Sequence, residues 1–143
     1  MKKQAEIEPQ IASGTFAATL CNPAEKFNAT HIYRTLSGNA LLLRGTQVFD
    51  DKNNVSIDIE FRDRVPGNNL PDLPPAGRYL YPHPDIKIKY YGIKNSTFFE
   101  AEVGDGSVTV SSQIAWQNSG KFLIELSLDG KPLIMFCKYD VTQ

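Results

Sequence analysis

Residues 121–139 read KFLIELSLDGKPLIMFCKY, and this stretch decides the fold class. Apolar residues alternate with other residues on both sides of Asp129-Gly130, and a period of two is typical of a half-buried β-strand. Asp-Gly between two such runs favours a two-residue type I′ turn, whose positive φ values suit these residues. The stretch therefore predicts an antiparallel hairpin in which segment 121–128 pairs with 132–139.

The same alternation recurs upstream along most of the chain. It is clearest in segment 55–62, where Val, Ile, Ile and Phe alternate with Ser, Asp, Glu and Arg. Further strands are predicted at 13–21, 31–36, 40–49, 79–81, 86–90, 99–103 and 108–116. Segment 24–29 is too short for a stable helix. About nine or ten strands separated by turn signals predict an all-β fold, a single two-sheet antiparallel β-sandwich of jelly-roll type.

Two turns and one strand pairing are further expectations. Gly104-Asp105-Gly106 and Asn118-Ser119-Gly120 are rich in residues that tolerate positive φ, so each predicts a turn. If segments 86–90 and 99–103 pair, Lys87 and Lys89 would face Glu100 and Glu102 in a ladder on the outer side of the sheet.

Length and composition indicate one folded domain. The chain has 143 residues, of which 41% are hydrophobic and 22% charged, an ordinary globular balance. We expect a flexible N-terminal segment over 1–12 and the sandwich over 13–143. A net charge of -1 argues against nucleic acid as a partner, and no apolar run is long enough for a transmembrane segment.

The start of the chain leaves its localisation open. Met1-Lys2-Lys3 is followed by polar residues, which predicts a soluble, cytoplasmic protein. If a signal peptide was removed, an extracytoplasmic bacterial origin is favoured instead, because Lys-Lys after Met also opens many bacterial signal peptides.

Cys21 and Cys137 have no metal-type spacing with each other or with His31 and His83. We therefore expect no metal and no cofactor. The alternation places Cys21 on the outward side of its strand and Cys137 on the apolar side of the last strand, so both are predicted to be free thiols.

The predicted ligand-binding segment is the proline-rich loop over 63–85. Loops of this length without secondary structure are uncommon in compact domains and are often functional. Aromatic and arginine side chains, which are enriched at recognition surfaces, are abundant in it. The predicted binding residues are Arg64, Arg78, Tyr79, Tyr81 and His83. The alternative is a proline-stiffened crossover between the two sheets.

Other residue patterns favour ordinary structural interpretations. His31 lies in a predicted strand as a structural or exposed residue. The carboxylates at 58 and 60, and those at 100 and 102, each share one strand face, which is typical of a solvated surface. Segment 50–54 is rich in oxygen ligands of the kind calcium accepts, but its spacing is not that of an EF-hand, so a plain turn is expected. No catalytic residue is predicted.

The second half of the chain resembles small bacterial lipoprotein-type β-sandwich domains of unknown function. The resemblance is carried by Pro75-Ala76-Gly77-Arg78-Tyr79, Tyr90-Tyr91, the run SVTVSS at 107–112 and the run GKFLI at 120–124. It covers about the last seventy residues and implies a sandwich of bacterial, extracytoplasmic origin. The chain departs from that pattern because it lacks a lipobox cysteine near its start and continues past the expected final strand.

These observations favour a non-enzymatic binding or interaction module that recognises its partner through the loop 63–85. The partner would be a protein, a small molecule or a carbohydrate. The alternative is a structural or assembly subunit, a homo-oligomer associating through its sheet edges. A hydrolase or lyase with its site in a jelly-roll groove is the least favoured hypothesis, because the sequence offers only two histidines as a base.

Overall fold

The computed structural model describes residues 10–21, 24–37, 39–64 and 72–143, and it shows two antiparallel sheets packed face to face. This confirms the predicted all-β sandwich. In chain order the strands of the described part are β1 (Gln10–Ile11), β2 (Ser13–Cys21), β3 (Glu25–Asn28), β4 (His31–Ser37), β5 (Ala40–Asp50), β6 (Asn53–Arg62), β7 (Gly77–Tyr81), β8 (Ile86–Lys94), β9 (Thr97–Glu100), β10 (Glu102–Ile114), β11 (Gln117–Leu128) and β12 (Lys131–Thr142).

Each sheet has six strands. Sheet 1 has the order β1-β4-β5-β6-β8-β9, and sheet 2 has the order β3-β2-β12-β11-β10-β7. The alternating apolar positions of both sheets face each other and form one core. Phe16 of β2 approaches sheet 1 so closely that a Cβ on Gly45 would lie 2.6 Å from its ring. A side chain at Gly45 would therefore separate the sheets.

The C-terminal hairpin forms as predicted. β11 pairs with β12 along its whole length, with Leu128 opposite Lys131. Asp129 and Gly130 have φ values of 53° and 77°, the left-handed conformations that a type I′ turn requires. This hairpin places two long strands at the centre of sheet 2.

Two predicted turns are wrong. Gly104-Asp105-Gly106 lies inside β10, where the register with β11 shifts between Val103 and Gly106. A Cβ on Gly106 would overlap the backbone of Leu123, so glycine at this position allows the backbones of β10 and β11 to approach closely at a bulge. Asn118-Ser119-Gly120 lies inside β11, and the turn falls at 115–116 instead.

The predicted ladder between Lys87, Lys89 and the glutamates at 100 and 102 is also wrong. Segment 99–103 is divided between the sheets, because β9 ends in sheet 1 and β10 begins in sheet 2. The buried Ala101 sits at this crossing, and its N–H donates to the carbonyl of Tyr90 at 2.9 Å. Lys87 and Lys89 instead lie opposite Glu60 and Asp58 of β6.

Two short strands were not predicted. β3 forms the edge of sheet 2 within segment 24–29, and β1 pairs with β4 although it lies in the predicted N-terminal segment 1–12, of which 1–9 are outside the described residues.

Cys21 is exposed, Cys137 is buried, and both are free, as predicted. Among the described residues, no helix long and apolar enough to cross a membrane is found.

Candidate functional site

The segment 63–85 connects the two sheets. It leaves β6 of sheet 1, contains β7, which is the edge strand of sheet 2 next to β10, and returns to β8 of sheet 1. Residues 65–71 are outside the described part. The predicted binding residues are therefore spread over a connection and an edge strand.

Arg64 and Arg78 lie apart from each other. Arg64 Nη2 donates to Asp72 Oδ1 at 2.7 Å, and both side chains are exposed. This hydrogen bond raises the pKa of Arg64. Arg78 lies on the outward side of β7, opposite Thr109 of β10.

Tyr79, Tyr81 and His83 are half-buried at the rim of the core. The Tyr79 hydroxyl donates to the Pro75 carbonyl at 2.6 Å, and its ring meets that of His83 edge to face at 5.3 Å. The Tyr81 hydroxyl accepts a hydrogen bond from the Ile88 N–H at 3.1 Å. Both tyrosines pack against the core, so their hydroxyl groups and rings help to attach β7 to the sandwich.

The register of sheet 2 aligns Arg78 and Leu80 with residues of the central strands. Leu80 lies opposite Ser107, which lies opposite Leu123, which lies opposite Phe136. Neighbouring strands are about 4.8 Å apart, and paired residues point to the same side. We call the outward-pointing side of β2, β3, β7, β10, β11 and β12 the outer face of sheet 2.

A row of apolar side chains is exposed on this face. The exposed fractions are 78% for Leu80, 47% for Leu123, 38% for Phe136 and 48% for Ile134, the neighbouring outward residue of β12. Single exposed apolar residues are normal, but a contiguous group is typical of an interaction surface. Leu123 lies directly opposite Phe136, and Ile134 is the next outward residue of β12, so these three form such a group, while Ser107 separates Leu80 from Leu123.

Cations lie on one side of the apolar row. Lys121 of β11 is directly opposite Lys138 of β12, and Arg78 lies two strands away in the same row. None of the three forms an ion pair within the described part of the chain. Like charges directly opposite each other destabilise a sheet. This row therefore has an electrostatic cost that no ion pair among the described residues offsets; Lys138 Nζ lies 5.7 Å from the centroid of the Phe136 ring.

Acidic side chains lie on the other side of the apolar row. Glu125 of β11 is opposite Ile134, and Glu102 of β10 is opposite Ser127. Both glutamates are exposed. The outer face of sheet 2 therefore has Arg78, Lys121 and Lys138 on one side of the apolar row and Glu102 and Glu125 on the other. Two further exposed charges lie on this face: Asp140 is the next outward residue of β12 beyond Lys138, and Lys26 of β3 lies in the same cross-strand row as Phe136.

The outer face of sheet 2 is grooved. Depressions of about 590, 460 and 330 Å³ lie along it. Ile134 lines the first, and Phe136 lines the other two. Side chains of a partner can insert into these depressions.

The outer face of sheet 1 carries a cluster of paired charges, although Lys87 and Lys89 on this face form no ion pair among the described residues. Arg44 Nε and Nη2 donate to the two carboxylate oxygens of Asp58 at 2.8 and 3.1 Å, and the Tyr91 hydroxyl lies 3.1 Å from both oxygens. The hydrogen bond with Asp58 raises the pKa of Arg44, and burial, reinforced by Asp58, raises that of Tyr91. This cluster satisfies itself.

The remaining predicted features have local partners. His31 Nδ1 lies 2.9 Å from Thr30 Oγ1, and the His31 ring stacks with Tyr33 at 6.5 Å. The Asp50 carboxylate accepts hydrogen bonds from the Lys52 backbone and the Asn53 side chain, which lower its pKa. Within the described ranges, no group of three or more His, Cys, Asp or Glu side chains is arranged to hold a metal ion.

Comparisons with protein-family models, curated proteins and solved structures found no significant match to this chain. Function is therefore inferred from the geometry of the molecule. One feature of the sequence does indicate the outer face of sheet 2. In 121–128 and 132–139 apolar residues occur at outward as well as inward positions, as expected of strands with both sides covered.

Proposed function

We propose that this chain is a non-enzymatic interaction module that associates with a second copy of itself through the outer face of sheet 2. The observation that carries this proposal is the order of charges across the face. Lys121 and Lys138 lie on one side of the apolar row, and Glu125 lies on the other. A surface with this order is complementary to itself.

A two-fold axis along the apolar row accounts for the complementarity. Such an axis lays Leu123 and Phe136 of one copy against the same residues of the other. It also reverses the strand direction, so Lys121 of one copy meets Glu125 of the second. Isologous contacts of this kind are the commonest in soluble oligomers. Association would bury the apolar row and place a carboxylate of the second copy against Lys121, while Lys138 would meet Ile134 of the second copy.

The segment 63–85 takes part in this proposal through Arg78 and Leu80, which belong to the same face. Association through sheet edges is less favoured. The edge strands of the described part, β1, β3, β7 and β9, have two to five residues, whereas β10, β11 and β12 have twelve or thirteen. Very short edge strands are a common way in which proteins avoid edge-to-edge pairing.

A charge exchange tests the proposal. Sedimentation velocity of the wild-type chain should show a monomer–dimer equilibrium, and K121E or E125K should weaken the dimer about tenfold or more, since each brings like charges together. The double variant K121E/E125K restores the complementary order and should recover most of the affinity. The matched controls K87E and K87E/E60K, on the outer face of sheet 1, should leave the dimer unchanged.

Two results would overturn the proposal. One is a wild-type chain that stays monomeric at about 1 mM, where association would contribute less than about 4 kcal/mol. The other is a dimer that both single variants leave intact. A dimer that the sheet 1 variants disrupt equally would place the contact elsewhere.

A further inference from the structure

Arg34 is a buried cation at one end of the sandwich. It points inward from β4 and is only 6% exposed. Its Nε donates to Asn118 Oδ1 at 2.7 Å, and its Nη2 donates to the Ala115 carbonyl at 2.7 Å. Both acceptors are neutral. Among the described residues no carboxylate oxygen, side-chain or terminal, lies within 4.0 Å of this guanidinium.

A buried charge without an opposite charge is costly, and most buried charges in proteins are paired. Arg34 shows this cost, because burial lowers its pKa. Arg44, which has Asp58 beside it, shows the opposite shift. Among the described residues, Arg34 is therefore a buried positive charge without a negative charge beside it.

Neutral groups hold the Arg34 side chain in position. Asn118 Nδ2 donates to Gln113 Oε1 at 2.8 Å, and Gln113 Nε2 donates to the Pro74 carbonyl at 3.1 Å. These bonds fix the Asn118 amide with its oxygen toward Arg34. The two bonds that Arg34 makes use two of the five N–H donors of a guanidinium. Donors remain for a further acceptor.

Arg34 also lines a pocket of about 340 Å³ between the strand ends. We call this the Arg34 pocket. The other residues that line it are Ile11, Ala12, Thr35, Leu36, Ala115 and Gln143. Arg34 is the one charged side chain among these described lining residues. The volume lies at the lower end of the range for small-molecule sites.

We propose that the Arg34 pocket binds a small monocarboxylate. The planar guanidinium matches the two oxygens of a carboxylate, and one negative charge balances its one positive charge. A phosphate dianion would leave excess negative charge, because no second cation is among the described residues that line the pocket. The carbon part of the ligand would contact Ile11 and Leu36. This inference does not depend on the proposed association of sheet 2.

Benzoate and the isosteric neutral benzamide are suitable probes, followed by the backbone amide shifts of residues around the pocket. Benzoate should shift the amides of Leu36 and Ala115, while benzamide and inorganic phosphate should bind at least about tenfold more weakly. R34Q should weaken benzoate binding by a similar factor. Because R34Q alters a buried network, L36W provides a second test, since it fills the pocket and leaves Arg34 in place.

Three results would overturn the proposal. If benzamide bound as tightly as benzoate, the charge of Arg34 would not contribute to ligand binding. Unchanged benzoate binding in L36W would place the ligand elsewhere. Glu6 and Glu8 precede β1 in the sequence. If benzoate bound only to the variant E6Q/E8Q and not to the wild-type chain, the pocket would belong to a carboxylate of the chain itself.

Discussion

The outer faces of the two sheets use similar residue types in different ways. On sheet 1, Arg44 and Asp58 form a two-pronged ion pair that Tyr91 completes. On sheet 2, Lys121 lies against Lys138, beside exposed leucine and phenylalanine side chains. The first face holds a cluster whose charges are paired, whereas among the described residues Lys121 and Lys138 of the second face form no ion pair and its apolar row is exposed.

Under the proposed association, this difference is the one between a structural surface and a recognition surface. Asp58 is buried although it points outward, so its interactions contribute to the stability of the monomer. Lys121 forms no ion pair among the described residues, and Phe136 is exposed, with Lys138 Nζ 5.7 Å from the centroid of its ring. Substitutions on the first face should therefore change folding, and substitutions on the second should change association.

The largest expected effect is on stability. D58A leaves the Arg44 guanidinium and the Tyr91 hydroxyl without their acceptor and should lower the free energy of unfolding by about 2–3 kcal/mol. The matched variant K121A should change it by about 0.5 kcal/mol or less. Urea unfolding at a concentration where the chain is monomeric measures both. Equal losses in the two variants would remove the distinction between the faces.

Alkaline pH should weaken sheet 1. Burial raises the pKa of Tyr90 to about 12. Between pH 10 and 12 the unfolded chain therefore loses a proton from Tyr90 that the folded chain keeps, and stability falls as pH rises. The slope from this residue is about 1.4 kcal/mol per pH unit. Y90F should have a correspondingly flatter pH profile in urea unfolding, and an unchanged profile would contradict the assigned burial.

A smaller effect should come from the lysine pair of sheet 2. K138E sets a glutamate opposite Lys121 and should stabilise the monomer by about 0.5 kcal/mol. K89E on sheet 1 places a glutamate opposite Asp58 and should destabilise the monomer by a similar amount. Thermal unfolding of the two variants in low salt is the measurement. Changes of the same sign would show that the faces do not differ.

Local patterns in the sequence predicted much of the fold. The hairpin at Asp129-Gly130 was predictable because its turn needs two left-handed residues and lies between two long runs rich in apolar residues. The turns at 104–106 and 118–120 were not, since glycine and asparagine also serve bulges and buried networks. Gly106 allows a close backbone approach, and Asn118 bonds Arg34 across the sandwich.

The candidate sites were harder to predict. The segment 63–85 drew attention through its aromatic residues, yet Tyr79 and Tyr81 are partly taken up by packing against the core. The outer face of sheet 2 depends on the register between strands. The Arg34 pocket depends on hydrogen bonds from Arg34 to Asn118 and Ala115, which are 84 and 81 positions away in the sequence. Alternation along one strand contains no information about which residue lies on the next strand.

The most direct test of the central claim is a dilution series followed by the backbone amide signals of both faces. Across the monomer–dimer transition, the account predicts concentration-dependent shifts at Leu80, Leu123 and Phe136, with Arg44 and Lys89 unchanged. Shifts confined to the outer face of sheet 1, or no shift anywhere as the concentration rises to about 1 mM, would contradict it.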